Sequence, residues 1–295
     1  MTRFGKLVTA MVTPFDDAGR IAESKLVNLI RHLEDTGTDT ILVAGTTGEG
    51  PTISHDEYIW LTRTVRDIAR PETKVMAGAS TNNTSKSIEL AKIAHDSGVD
   101  GLLLVSPYYN KPPQEGLLAH FTAIAEATPL PCIIYDIPGR TGVKVETSTM
   151  KRLSEINNVV GVKEASGSLD SVSAVRHACG PDFAIYSGDD SLTLPMLSVG
   201  ACGVISVAGH VAGKMIKEMI TAFIDESNWQ KALDMHLHLW DLFKVLFITT
   251  NPIPVKYATN RIGIDVGGYR LPMVEPTKEQ KGKIDEVLRK MGMMS

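Results

Sequence analysis

The sequence is short of the features that mark several large classes of protein. Its 295 residues include only 3 cysteines, and their odd number and wide spacing favour reduced thiols in a cytoplasmic protein over a disulfide framework. No apolar run approaches the roughly 18 residues of a membrane helix, and we predict no signal peptide. The 30 basic residues are outnumbered by 34 acidic ones, so nothing indicates a nucleic-acid partner.

Motifs for nucleotides and metals are also missing. No glycine-rich dinucleotide turn follows the first predicted strand. The segment AGHVAGKM (208–215) is no phosphate-binding loop, because its glycine spacing is one residue short and Met215 stands where Ser or Thr is required. Asp189 and Asp190 are predicted to cap the next helix, and no His, Asp and Glu group has metal-ligand spacing. We therefore expect no metal and no cofactor.

What the sequence does contain is a regular alternation of short apolar runs and amphipathic segments. The runs start about 20 to 35 residues apart, which is the size of a βα unit. Segments 24–37 and 85–98 have helical periodicity and end at glycine. Eight buried parallel strands predict an α/β fold, a (β/α)8 TIM barrel, with an open doubly wound sheet as the alternative. The runs are 7–12, 40–45, 74–79, 101–106, 132–137, 159–164, 183–188 and 203–208.

The strand pattern stops after residue 210. Residues 214–249 and 277–292 have helical patterns, and the segment between them contains NPIPVKY and GGYRLP. No low-complexity linker separates these helices from the strands. We therefore predict a catalytic barrel over residues 1–225 and a C-terminal helical extension, packed on it, over residues 226–295.

Lys163 stands inside an apolar run, VVGVKEAS (159–166). A lysine is rarely buried without a reason, because an ammonium removed from water either finds a partner or loses its proton. A neutral lysine amine attacks ketones and aldehydes to form a Schiff base. Strand alternation places Val159, Gly161 and Ala165 on the face of Lys163, which leaves room for a ligand. The alternative is a lysine at a strand end whose amine reaches solvent.

Other candidates lie where predicted strands end, which is where a (β/α)8 barrel carries its function. Thr46 and Thr47 in GTTGEG can each supply a hydroxyl and a backbone donor, or simply form a turn that caps the next helix. Tyr135 ends the fifth strand and is predicted to project towards Lys163, unless it is an ordinary core tyrosine. Arg140 lies in a loop shaped by proline and glycine, and it suits bidentate binding of a carboxylate. A solvated loop arginine is the alternative.

These motifs together resemble the class I pyruvate aldolase (N-acetylneuraminate lyase) family over essentially the whole chain. They are most similar to the members that condense pyruvate with L-aspartate 4-semialdehyde in lysine and diaminopimelate biosynthesis. One alternative is a sister aldolase for N-acetylneuraminate or 2-keto-3-deoxy sugar acids, although a sugar-acid aldolase has less use for Arg140. The others are a non-catalytic relative that senses pyruvate or another keto acid, and a structural oligomer. The motifs are GTTGEG (45–50), SPYYNKP (106–112), YDIPGRTG (135–142), GVKEASG (161–167) and SGDD (187–190).

The resemblance also implies a role for each candidate residue. Lys163 forms the Schiff base, while Tyr135, Thr47 and Tyr109 form a proton relay in which Tyr109 enters the site of the neighbouring subunit. It further implies a lyase without an external cofactor, assembled as a homotetramer of tight dimers. The positions implied to contact substrate are Thr46, Arg140, Gly188 and Ile205.

One departure from the family pattern concerns feedback inhibition. The resemblance implies that L-lysine-inhibited members carry Ser-Ala directly after GTTGE, and a glutamate four residues past an asparagine in the loop after the third strand. Here these positions hold Gly50-Pro51 and Lys86. Because the missing carboxylate removes a counter-charge for a lysine ligand, we expect inhibition by L-lysine to be weak or absent.

Overall fold

The computed structural model of the protein describes residues 3–294. Its strands are all parallel and pair in sequence order, and the last strand closes on the first to complete a barrel. Each predicted apolar run contains one strand, so the predicted (β/α)8 fold is confirmed. The strands are β1 Leu7–Ala10, β2 Thr40–Val43, β3 Lys74–Gly78, β4 Gly101–Val105, β5 Cys132–Asp136, β6 Val159–Glu164, β7 Ala184–Ser187 and β8 Gly203–Ser206.

Helices surround the barrel, and local sequence fixes where several of them begin. The Ser54 hydroxyl accepts the backbone N–H of Glu57, whose carboxylate accepts the N–H of Ser54 in return. Thr277 and Gln280 form the same reciprocal cap on the final helix. The helices are α1 Glu23–Asp35, α2 His55–Ile68, α3 Thr84–Asp96, α4 Gln114–Glu126, α5 Pro138–Thr141, α6 Thr147–Leu153, α7 Leu169–Cys179, α8 Thr193–Ser198, α9 Gly209–Ile224, α10 Trp229–Val245, α11 Ile253–Arg261 and α12 Lys278–Lys290.

The apolar core has two layers, as strand alternation requires. The outer layer lies between the strands and the helices. The inner layer fills the barrel with large side chains, so a polar group that enters it loses contact with water. The inner layer comprises Phe4, Val8, Ala10, Leu42, Met76, Leu103, Ile133, Tyr135, Tyr186 and Ile205.

The start of β6 departs from simple alternation. Its pairing with β5 shifts by one residue between Val159 and Gly161, which leaves Val160 as the extra residue of a β-bulge. Val159 therefore packs in the outer layer and Val160 against the inner one. The prediction that Val159 shares the face of Lys163 is wrong, because a bulge reverses the alternation before it.

The chain after the barrel differs from the prediction in two ways. The predicted helix 214–249 is two helices, α9 and α10, because Ser227 adopts a left-handed conformation (φ 52°) and Asn228 caps α10 through its side chain. The segment NPIPVKY contributes to helix α11, which its prolines concealed. Pro254 lies in the first turn of α11, where a backbone donor is not needed. The predicted domain boundary falls in the turn between α9 and α10, and the division itself stays a prediction.

Candidate active site

Lys163 and Tyr135 are direct neighbours on β6 and β5, at the carboxyl ends of the strands. Lys163 is 5% exposed, and its Nζ lies 4.3 Å from the centroid of the Tyr135 ring. Burial is the main cause that lowers the pKa of Lys163 to about 7. The negative charge of Asp190 raises this pKa, while the positive charge of Arg140 lowers it. A large fraction of the amine is therefore neutral and nucleophilic at neutral pH.

Tyr135 carries a phenol that remains protonated at neutral pH. Burial raises its pKa to about 12, partly offset by the charge of Arg140. A protonated phenol beside a neutral amine can donate a proton to a group that forms on that amine and take it back in a later step. The predicted placement of Tyr135 beside Lys163 is confirmed by this geometry, while its role stays a prediction.

A cavity of about 50 Å³ lies above these two residues. It brings together most of the predicted site residues, from loops at the carboxyl ends of different strands. A second cavity of about 500 Å³ shares five lining residues with it, Thr46, Leu103, Tyr135, Ile137 and Arg140. The walls of the smaller, inner cavity are formed by Ala10, Leu42, Thr46, Thr47, Leu103, Tyr135, Ile137, Arg140, Lys163, Gly188, Val207, Phe247 and Asn251.

Gly188, just beyond β7, leaves the space that the lysine side chain needs. A Cβ at this position would lie 3.2 Å from Cε of Lys163 and 2.6 Å from Cβ of Ala165. The N–H of Gly188 donates to the backbone oxygen of Glu164 at 2.8 Å, which fixes the loop against β6. Any side chain at position 188 would therefore displace Lys163 or its strand.

The two aspartates after Gly188 have different roles. Asp189 accepts the N–H of Ser191 at 2.9 Å and caps the short 3-10 helix that follows it, as predicted. Asp190 does not, because its Oδ2 accepts the N–H groups of Val207 (3.0 Å) and Ala208 (2.9 Å) beyond β8. Buried Asp190 therefore ties the end of β7 to the start of α9 and brings a negative charge near Lys163.

Asn251 is a site residue that the sequence motifs do not indicate. Its Nδ2 donates to Oγ1 of Thr47 at 2.9 Å, and its backbone oxygen accepts Nη2 of Arg140 at 3.3 Å. Asn251 precedes Pro252 and lies between α10 and α11, so the C-terminal segment reaches the cavity directly. The only signal in the sequence is an asparagine placed within a short proline-rich segment.

Two predicted site residues do not line the inner cavity. Ile205 belongs to the inner apolar layer and is 1% exposed. Tyr109 is 89% exposed, in a left-handed conformation (φ 73°) beyond β4. Within residues 3–294 no hydrogen bond joins Thr47 to Tyr135 or Tyr109, so a single chain does not assemble the predicted relay. The roles of these residues stay predictions.

The larger cavity is lined by Lys86, the residue at which the sequence departs from the pattern of L-lysine-inhibited members. Lys86 lines it together with Tyr58, Tyr108 and His55. Glu89, one turn later on α3, also lines it, and its carboxylate lies 3.5 Å from Nδ1 of His55. This cavity therefore retains one carboxylate, although not at the position that the family pattern requires.

Neither a membrane helix nor a metal cluster is found in the described part of the chain. No helix between residues 3 and 294 combines the length and apolarity needed to cross a membrane. Over the same residues, no three His, Cys, Asp or Glu side chains are grouped so that they could hold a metal ion.

Comparison with known proteins identifies relatives over the full length of the chain. The sequence model of the dihydrodipicolinate synthetase family matches residues 3–291. A 4-hydroxy-tetrahydrodipicolinate synthase from Acaryochloris marina is 51% identical over 295 residues, which is 100% of each chain. Another, from Heliobacterium modesticaldum, is 50% identical over 290 residues, covering 98% of this chain and 96% of the relative. The crystal structure of DHDPS from Cyanidioschyzon merolae with lysine bound has a TM-score of 0.98 and 43% identity, covering 100% of both chains.

Proposed function

The chain belongs to the dihydrodipicolinate synthetase family, and we propose that it has 4-hydroxy-tetrahydrodipicolinate synthase activity. It is a lyase that condenses pyruvate with L-aspartate 4-semialdehyde in lysine and diaminopimelate biosynthesis. The observation that carries this function is the buried amine of Lys163, which lies beside Tyr135 and makes no hydrogen bond or ion pair within residues 3–294. The synthase names of the full-length relatives favour this activity over a sister sugar-acid aldolase.

Lys163 performs the first chemical steps. Its neutral amine attacks the ketone of pyruvate, and loss of water gives an iminium. The iminium withdraws electrons, so a methyl proton leaves and an enamine forms. The enamine carbon then attacks the aldehyde of the second substrate. Tyr135 lies where protons must move during these steps, in a site that excludes bulk water.

Two groups of residues hold the substrates in this proposal. Thr46 offers a backbone N–H that binds the carboxylate of pyruvate, while Gly188 lines the site beside Lys163. Arg140 binds the carboxylate of the second substrate through its guanidinium. Ile205 forms part of the apolar floor beneath them.

Tyr109 supports a proposal about assembly. The support is that 89% of its surface is exposed on a loop that contains Pro112 and Pro113, because large exposed aromatic side chains are enriched at interfaces. We propose a cytoplasmic homotetramer of tight dimers in which Tyr109 completes the relay of its neighbour. Mixing inactive Lys163→Ala and Tyr109→Phe subunits should restore activity, and confirmed exchange without recovery would contradict a role in trans.

The proposed activity is tested by a coupled assay. Pyruvate should be consumed with L-aspartate 4-semialdehyde far faster than it is formed from N-acetylneuraminate or 2-keto-3-deoxy sugar acids. Borohydride added with pyruvate should attach one reduced pyruvate to Lys163, as located by peptide mass mapping. Faster turnover of a sugar acid would replace this proposal with that of a sister aldolase.

A further inference from the structure

Asn251 carries a buried hydrogen-bond acceptor that no donor within residues 3–294 reaches. The residue is 6% exposed, and its Nδ2 is used by Thr47. Its Oδ1 has no hydrogen-bond partner among residues 3–294. An unpaired buried polar atom is costly, and one that persists in a native protein needs an explanation, such as a catalytic role or a bound group. Because Asn251 lines the inner cavity, a bound molecule can supply the missing donor.

The charges of the inner cavity define what that donor can be. Among its lining residues, Lys163 and Arg140 are the basic side chains, and no aspartate or glutamate is present. A substrate amine in this cavity therefore finds no carboxylate partner. The unpaired Oδ1 of Asn251 is a neutral acceptor placed at the same wall as Arg140, whose Nη2 donates to the backbone oxygen of Asn251.

We infer that Asn251 determines specificity for the second substrate, through an Oδ1 that accepts an N–H of its α-amino group. The inference rests on the proposed function, in which Arg140 binds the carboxylate of L-aspartate 4-semialdehyde. The carboxylate and the amino group share one carbon atom. A carboxylate held by Arg140 therefore brings the amine to the neighbouring Asn251.

The hydrogen bond between Asn251 and the substrate amine acts in the last step, in which that amine displaces Lys163 from the intermediate. The lone pair of the amine forms a bond to the iminium carbon, and the π electrons of the iminium move onto the Lys163 nitrogen. A proton then passes from the attacking nitrogen to the Lys163 nitrogen. The bond between that nitrogen and carbon breaks, which leaves neutral Lys163 and a cyclic iminium on the substrate nitrogen. The positive charges of Arg140 and of the iminium on Lys163 favour the neutral form of a nearby amine. The neutral form is the one that attacks, and Asn251 holds it in place.

Succinic semialdehyde provides the test, because it has the carboxylate and the aldehyde but no amine. Asn251→Ala should lower kcat/KM for L-aspartate 4-semialdehyde by about 10- to 100-fold, the effect of one lost hydrogen bond. Formation of the borohydride-reduced pyruvate–succinic semialdehyde adduct on Lys163, followed by intact mass, should change by less than about threefold on the same basis. A merely structural role, such as support of Thr47, would slow both aldehydes equally and would overturn the inference.

A second variant separates the two ends of the amide. Asn251→Asp keeps an acceptor towards the substrate, and its second oxygen can accept the Thr47 hydroxyl in place of the Nδ2 donation, so it should recover most of the activity with L-aspartate 4-semialdehyde. An Asn251→Asp protein that traps pyruvate but is as slow as Asn251→Ala would contradict the acceptor role. If the unaltered enzyme neither traps pyruvate nor condenses it, the proposed function itself fails, which is a different outcome.

Discussion

The chain buries two lysines, Lys163 and Lys256, and their surroundings differ completely. Lys256 on α11 is 0% exposed, and its Nζ donates to Oε1 of Glu49 at 2.7 Å and to the backbone oxygen of Thr13 at 2.9 Å. The ring of Phe15 lies 4.3 Å from the same atom. Lys163 is nearly as buried, yet its Nζ makes no hydrogen bond or ion pair within residues 3–294.

The comparison shows that burial alone does not make a lysine reactive. Burial lowers the pKa of Lys256 to about 8, but the adjacent Glu49 carboxylate opposes this effect through both its charge and its hydrogen bond. Its ammonium is therefore held as part of the structure. Lys163 has a more distant charge, Asp190, and a cavity in front of it. One amine joins the extension to the GTTGEG loop, while the other is free to react.

Replacing each lysine by methionine tests the comparison most strongly. Lys163→Met should reduce synthase turnover to background and abolish the borohydride-trapped pyruvate adduct, because the nucleophile is gone. Its melting temperature should stay equal or rise, since a buried unpaired amine is replaced by an apolar side chain of similar length. Calorimetry and intact mass measure both results. A trapped adduct that persists in Lys163→Met would show that another amine is the nucleophile.

The same substitution at position 256 should have the opposite pattern. Lys256→Met leaves the Glu49 carboxylate buried without its cation, which costs about 3–5 kcal/mol of unfolding free energy. The folded fraction should still trap pyruvate at Lys163. Urea unfolding of Lys256→Met and of the double variant Glu49→Gln, Lys256→Met measures the effect. The double variant should regain much of the lost stability, and no difference between the two would show that Glu49 is not the partner that matters.

The pH dependence of pyruvate trapping tests the charges that surround Lys163. Because the pKa of Lys163 is lowered to about 7, adduct formation should rise with pH through a midpoint near that value. The charge of Arg140 contributes to this lowering, so Arg140→Ala should move the midpoint to higher pH. The exposed Arg20 provides the matched control, since Arg20→Ala should leave the midpoint unchanged. The initial rate of borohydride trapping, measured across the pH range, gives both midpoints; a shift to lower pH in Arg140→Ala would contradict the assigned electrostatics.

An exposed lysine gives the smallest expected effect. Lys86 lines the larger cavity beside Glu89, and its charge should disfavour a cationic ligand there. We expect L-lysine to inhibit weakly or not at all in steady-state assays, and Lys86→Glu to increase inhibition. Lys92→Glu, also on α3 but outside the cavity, should not. Inhibition of the unaltered enzyme by sub-millimolar L-lysine would show that Glu89 suffices as the counter-charge.

The sequence by itself determined the barrel and pointed to the proposed centre of its chemistry. Eight apolar runs predicted the strands because a buried parallel strand is a continuous local pattern. Lys163 stands out in the sequence because a charge inside such a run is a local anomaly. The position of Tyr135 beside it is predicted because Tyr135 is the last large side chain of the preceding strand. Each of these signals lies within a few residues of chain.

The tertiary structure decided what holds those groups in place. Asn251 reaches Thr47 across 204 residues of sequence, and Lys256 reaches Glu49 across 207. The bulge at Val160 depends on pairing with another strand. Such contacts leave no periodic pattern in the sequence, because they depend on how segments far apart in the chain pack together. A lysine amine is therefore the proposed nucleophile at position 163 and a structural cation at position 256 only after the chain has folded.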